Sequence, residues 1–216
     1  MSASYEAKEH YRDEAVAAAY DRVRFRGIRG ALVDWLEQRL LMKAIQDVRP
    51  GGKVLDLPVG TGRMARRLAA AGYRVVGADV SVPMLRLARE LAIEANEPAG
   101  LLRGEAETLP FADGTFDVAV CFRLLPHLPA EARTKILREM ARVAHRVVAV
   151  YQPHKVSIWW LLSGLILRRP MPRYYLSPKE VEKELAGCGL RVIRSHAVFR
   201  GVLMARAYVL EPAAGD

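Results

Sequence analysis

Val54-Leu-Asp-Leu-Pro-Val-Gly-Thr-Gly-Arg63, followed by Val75-Val-Gly-Ala-Asp79, is the stretch that decides the fold. A short apolar strand runs into a Gly-x-Gly turn, a helix opens, and a second strand ends on an acid. This is the pattern of a nucleotide-binding βαβ unit. Gly60 and Gly62 let the backbone turn tightly and approach a ligand with no Cβ in the way. Asp79 sits where a carboxylate can accept both hydroxyls of a ribose. By spacing alone, Gly60-Thr-Gly-Arg-Met-Ala65 also fits the dinucleotide pattern G-x-G-x-x-A.

Asp56 separates the two readings. It ends the first strand, just ahead of the glycine turn. A dinucleotide would bring an anionic pyrophosphate there, and a carboxylate would repel it at close range. A ligand with a cationic head would be attracted. S-adenosylmethionine carries an ammonium and a sulfonium beside an adenosine, so acid, glycine turn and second acid suit it better than NAD.

Three blocks, in order, are Val54-Leu-Asp-Leu-Pro-Val-Gly-Thr-Gly62, Val76-Gly-Ala-Asp-Val-Ser81 and Gly104-Glu-Ala-Glu-Thr-Leu-Pro-Phe-Ala-Asp-Gly-Thr-Phe-Asp-Val-Ala-Val-Cys121. On them the chain resembles the class I S-adenosylmethionine-dependent methyltransferases. It is most similar to the group holding the ubiquinone/menaquinone C-methyltransferases and many small-molecule methyltransferases. The resemblance covers residues 50 to 150 well and the flanks loosely. It departs from the family at Pro58, which stands on the cofactor turn where the first glycine is usual, and at Val59, where Cys is usual. Ala144-His-Arg146 replaces the usual Lys-Pro-Gly-Gly turn. The resemblance implies that Glu105, often Asp in the family, accepts from the adenine amino group and that the Ala106 amide reaches a ring nitrogen. It also implies an N-terminal lid in which a tyrosine, Tyr11 or Tyr20, closes over the cofactor; helix packing is the competing role for both.

Composition bounds the rest. With 216 residues, 51% hydrophobic and 26% charged, one α/β domain with a substantial core is the natural count. Cys121 and Cys188 have no metal or disulfide spacing, and Cys121 closes an apolar strand as a buried thiol. With so polar an N-terminus, no signal peptide is expected. Val156–Leu167 is shorter than the ~20 residues a bilayer span needs, so a cytoplasmic protein is expected. The net charge of +9 favours acidic partners, but the arginines are dispersed and form no basic arm.

Along the chain, residues 5–26 read as polar helices, and Leu32, Val33, Leu36, Leu40, Leu41 and Ile45 give a helix over 30–46. Strands are expected at 53–57, 73–78, 100–103, 116–121 and 146–151. Helices are expected at 62–71, capped by Gly72, at 82–95 behind an N-cap Ser81, and at 129–143. Ser177-Pro-Lys-Glu180 starts another helix, ending at Gly187 or Gly189. Strands 190–198 and 202–210 form a hairpin through Gly201, and the tail from Pro212 is loose. The class is α/β: a Rossmann-like, doubly wound, seven-stranded, mostly parallel sheet with an antiparallel last strand. The chain reads as one domain over 1–216, with a helical lid over 1–46 and an apolar substrate-cap insert over 152–176. Ligands should meet the segments after strands one, two, four and five.

Methyl transfer is an in-line displacement that neutralises a sulfonium, so a dry, pre-aligned site does much of the catalysis. A base is optional for thiols and some amines and more useful for phenols, alcohols or carbon acids. The candidates for the catalytic step are His154, which follows strand five where acceptor should sit, His127 as a base or a helix-entry residue, and Arg123. Arg123 meets a cofactor carboxylate, an anionic substrate group or a surface acid. Phe122 faces the sulfonium through its ring. Val80 and Met84 sandwich adenine or belong to the core. No metal is expected. The expected function is methylation of a small, largely apolar acceptor; an RNA methyltransferase and a non-catalytic S-adenosylmethionine-binding scaffold are the alternatives. Tryptophans 159 and 160 and the arginines at 168 and 169 leave a cap, a peripheral membrane contact and a dimer contact open for the insert, and monomer and homodimer open for the chain.

Overall fold

The glycine turn is entered from a four-residue strand, β1 (Lys53–Asp56), and left through a helix, α2 (Arg63–Ala70). The computed structural model describes residues 27–94, 100–151, 176–197 and 205–213. Ahead of β1 lies α1 (Gly27–Ala44). After α2 come β2 (Arg74–Asp79), α3 (Val82–Glu94), β3 (Gly100–Arg103) and β4 (Val118–Cys121). A 3-10 turn at Leu125–His127 leads into α4 (Ala130–Val143), β5 (Val147–Tyr151), α5 (Pro178–Gly187), β6 (Leu190–Ala197) and β7 (Arg206–Pro212).

Among the described residues these strands form one seven-stranded sheet in the order β3-β2-β1-β4-β5-β7-β6. β1 to β5 are mutually parallel, and β7 runs antiparallel to both β5 and β6. The order reverses between β1 and β4, where Asp56 is paired with Gly77 on one side and Val120 on the other. An open α/β sheet binds ligands at such a switch point, beyond the carboxyl ends of its strands.

Alternate strand residues feed two cores. Val54, Val118, Val120, Val148 and Val150 pack under α1 and α2 with Leu40, Leu41, Ile45, Met64 and Leu68. Leu55, Ala119, Cys121, Val147 and Ala149 pack on the other face with Ile136, Leu137 and Met140 of α4 and Val181 and Leu185 of α5. The central strands are buried on both faces, as continuous apolar runs require.

Local signals set the helix ends. Ser81 Oγ accepts from the Met84 amide at 3.3 Å and caps α3. Ser177 and Glu180 form a reciprocal capping box, with Pro178 in the first turn of α5. Four expectations are corrected. The first described helix starts at Gly27 rather than 30, and Leu32 and Trp35 are half exposed on its outer side. β4 starts two residues late, since Phe116 and Ala144 make only an isolated bridge. The last strand runs to Pro212 rather than 210. The tail is also held further than expected: Pro212 pairs with Leu190, and the Ala213 amide donates to the Gly189 carbonyl at 2.8 Å. The expected polar helices at 5–26, the turn at Gly201 and nearly all of the 152–176 insert lie outside the described residues. No described helix is long and apolar enough to cross a membrane.

Candidate functional site

A cleft opens at the carboxyl ends of β1, β2 and β4, enclosing about 990 Å³ of empty space with its mouth included. Its floor is the turn from Leu57 to Thr61, and Leu57-Pro58 is a cis peptide. Gly60 has φ +53°, and a Cβ built on it meets nothing within 4 Å. The turn therefore needs glycine for its backbone angle, while its upper side is open to an incoming ligand. Gly62 does different work. It sits at the N-cap of α2 with φ +76°, and a Cβ on it would lie 3.1 Å from the Ala88 Cβ of α3. It allows the turn and α3 to approach closely and is not one of the residues lining the cleft.

Asp79 fastens the turn from the neighbouring strand. One oxygen accepts from the Gly60 amide at 2.9 Å and the other from the Ser81 amide at 2.9 Å. Burial pushes its carboxyl above the usual range, and the amides of Ser81, Gly60 and Val80 pull it part of the way back. Each oxygen keeps acceptor capacity toward the cleft.

Asp56 is the most unusual group. It is buried, and neither carboxylate oxygen has a hydrogen-bond partner among the described residues. Desolvation pushes its pKa up to about 8, against smaller opposing pulls from the Arg63 charge and from an Ala65 amide that falls short of hydrogen-bond geometry. Such a group is left waiting for a donor or a cation.

Pro58, Val80, Met84, Ala106, Phe122, Arg123 and His127, all singled out in the sequence, also line the cleft. Met84 and Phe122 are buried, and Val80 and His127 half-buried. Glu105 is half-buried, bridges to Thr108 and does not line the cleft, whereas its neighbour Ala106 does. Tyr11, Tyr20 and His154 lie outside the described residues. Cys121 is a buried thiol whose pKa is pushed up to about 12 by burial and by the Asp56 charge. It is therefore not a thiolate nucleophile. No group of His, Cys, Asp and Glu able to hold a metal occurs among the described residues.

Two arrangements were not foreseen. Arg142 on α4 donates to the carbonyls of Leu109 and Phe111 at 3.1 and 2.9 Å, and its neighbour Glu139 accepts from the Leu109 amide at 2.6 Å. Together they hold the loop that follows Ala106. At the cleft mouth, Glu37 of α1 accepts from Arg63 at 2.7 Å and from Arg123 at 3.1 Å, and Asp34 also pairs with Arg63. Arg123 thus meets an acid, one of the three partners expected for it. It does so at φ +59°, an angle non-glycine residues rarely adopt.

Residues 54–146 match the family described as a methyltransferase domain. The chain is 32% identical over 159 residues to the demethylmenaquinone methyltransferase of Paenarthrobacter aurescens, covering 73% of this chain and 60% of that one. It is 36% identical over 108 residues to the ubiquinone/menaquinone biosynthesis C-methyltransferase UbiE of Burkholderia mallei, covering 48% and 44%. The chain thus spans between 44% and 60% of the length of these relatives. Its fold resembles that of magnesium protoporphyrin IX methyltransferase (ChlM) from Synechocystis PCC 6803 with bound SAH. That match has a TM-score of 0.74 and 17% identity and covers 96% of this chain and 98% of that one.

Proposed function

We propose, from the premise that residues 54–146 are a class I methyltransferase domain, that this chain binds S-adenosylmethionine in the cleft and methylates a small, largely apolar acceptor. The observation that carries the reading is Asp56, a buried carboxylate with two unpartnered oxygens at the foot of a glycine turn. A cationic amino-acid head would draw the proton off this carboxyl and be held by the carboxylate left behind, whereas an anionic pyrophosphate would gain no such partner.

The other residues fit the same ligand. The open side of Gly60 leaves room for it. Asp79 has acceptor capacity for ribose hydroxyls. Val80, Met84 and Ala106 offer an apolar lining for adenine, and Phe122 lines the same cleft as Asp56. The cofactor, when bound, supplies an activated methyl group on a sulfonium. The part left to the chain is to align the acceptor, keep water out and accept a proton where the acceptor is a phenol, alcohol or carbon acid. Among the described residues, His127 is our candidate for that proton, a reading supported by its half-buried position on the lining. His154 stays a second candidate from the sequence, and the cap over 152–176 stays a proposal resting on its apolar composition.

Calorimetry should show S-adenosylmethionine and S-adenosylhomocysteine binding, with NAD silent. Asp79→Ala should weaken both by at least tenfold, since two hydrogen bonds to a charged acceptor contribute about 1.5–3 kcal/mol each. Preferential binding of NAD would refute the reading. A methyl-transfer screen over quinols, phenols, amines, thiols and RNA then identifies the acceptor. Turnover on RNA, with binding that weakens steeply as salt rises, would move the reading to a nucleic-acid enzyme. Binding without turnover on any class would leave a scaffold.

A further inference from the structure

We infer that Glu37 determines the charge specificity of the cleft: by neutralising the two arginines at its mouth, it makes the cleft select a cationic ligand over a neutral analogue. The inference rests on the S-adenosylmethionine reading of the site and assigns a role to a helix outside the matched domain.

Arg63 and Arg123 both line the cleft, one from the start of α2 and the other from the segment after β4. Their two positive charges would offset those of Asp79 and of Asp56 once it has given up its proton to a cationic ligand, and leave that ligand no net attraction. Glu37 prevents this. Its carboxylate bridges both guanidiniums, accepting from Arg63 Nη2 at 2.7 Å and Arg123 Nε at 3.1 Å and pairing with Arg123 Nη2. Asp34, one turn earlier, takes the other arm of Arg63 and is itself held by Gln38 at 2.9 Å. Among the described residues the acids then outnumber the arginines around the cleft.

The bridge is built to persist. Glu37 is 8% exposed and each arginine 13%, so solvent and salt screen these charges weakly. Leu40, Leu41, Ala44 and Ile45 anchor the next turns of α1 in the core, which fixes the height of Glu37 above the cleft. The guanidinium of Arg123 is held although its backbone sits in the left-handed region.

The test compares two ligands that share the same amine, carboxylate and adenosine and differ in the sulfonium charge. Calorimetry gives the affinities of S-adenosylmethionine and S-adenosylhomocysteine for the wild type and for Glu37→Gln, which keeps the shape and removes the charge. The ratio of the two affinities should shift against the sulfonium by about threefold or more, the size expected for a weakly screened charge. A change in how an arginine meets the shared carboxylate would move both ligands alike and leave the ratio unchanged. Glu37→Asp, which keeps the charge, should keep the ratio within about twofold of the wild type. Arg123→Gln, which removes a cation, should shift the ratio the other way, and it carries the test alone if Glu37→Gln does not fold. An unchanged ratio in Glu37→Gln, or in Arg123→Gln where it stands alone, would make Glu37 a structural tie and overturn the inference. Failure of the wild type to bind either ligand would instead refute the reading of the site.

Discussion

Asp56→Asn should yield a free protein more stable than the wild type, with the gain growing as pH rises, and should abolish the affinity for S-adenosylmethionine. The carboxyl is held protonated in the fold up to about pH 8, whereas in the unfolded chain it releases its proton near its ordinary value of 3.8. Between these values the folded state binds one proton more than the unfolded state. Stability from this group therefore falls as pH rises from about 4 to about 8 and levels off above. Asparagine has no charge to desolvate, so its advantage should be small at pH 4–5 and reach about 2–4 kcal/mol at pH 8. That figure discounts the full ~1.4 kcal/mol per pKa unit for relaxation around the site. Denaturant unfolding of both proteins at pH 5 and pH 8 measures it. Parallel profiles for the two proteins would refute it.

The same proton should appear in binding. A cationic ligand selects the carboxylate, so uptake near pH 7 should release close to one proton. Affinity should rise with pH until about 8 and then flatten. Calorimetry in buffers of different ionisation enthalpy detects the release, and Asp56→Asn should show none. Asp56 is thus a case in which the group that destabilises the free fold is the group the ligand needs.

The central sheet was legible because its determinants are local. Apolar runs such as Val147–Tyr151, the glycine turn at 60–62 and the capping box at Ser177 each announce themselves within a few residues. The doubly wound, mostly parallel class, with an antiparallel last strand, then followed from the βαβ alternation. Asp56 and Asp79, at strand ends on the cleft lining, could be named for the same reason. What escaped were contacts made at a distance. Glu37 and Asp34 look like the wet side of an amphipathic helix. Their partner Arg63 lies 26 and 29 residues away and Arg123 lies 86 residues from Glu37. At Gly62 the sequence shows that a glycine is required but not which neighbour crowds a Cβ. Among the described residues that neighbour is Ala88.

The second large effect is expected at Glu184, and the reason is again a buried charge. Arg133 of α4 is 3% exposed, and its guanidinium is matched to the Glu184 carboxylate of α5 through Nε at 2.8 and 3.0 Å and through Nη2, while Nη1 donates to the Leu128 carbonyl at 2.6 Å. The Tyr151 hydroxyl donates to the same carboxylate at 2.8 Å, and burial and the Glu184 charge hold its pKa far above the ordinary value. Glu184→Ala would leave a buried guanidinium and a buried phenol without their acceptor, which costs about 3–5 kcal/mol. The double change Arg133→Met, Glu184→Leu should recover most of that loss, because an apolar pair of similar volume removes the unpaired charge. Denaturant unfolding of the three proteins tests both statements, and a loss below about 1 kcal/mol in Glu184→Ala would contradict the first. The position of this carboxylate links stability to function. Tyr151 is the last residue of β5, and Glu184 lies on the helix that starts at Pro178, so one group ties together the two elements between which residues 152–177 run. The cleft built from the ends of β1, β2 and β4 does not include it. Conditions under which Glu184→Ala stays folded should therefore show acceptor turnover falling further than S-adenosylmethionine affinity. Equal losses would mean that the tie supports the whole sheet rather than the acceptor side of it.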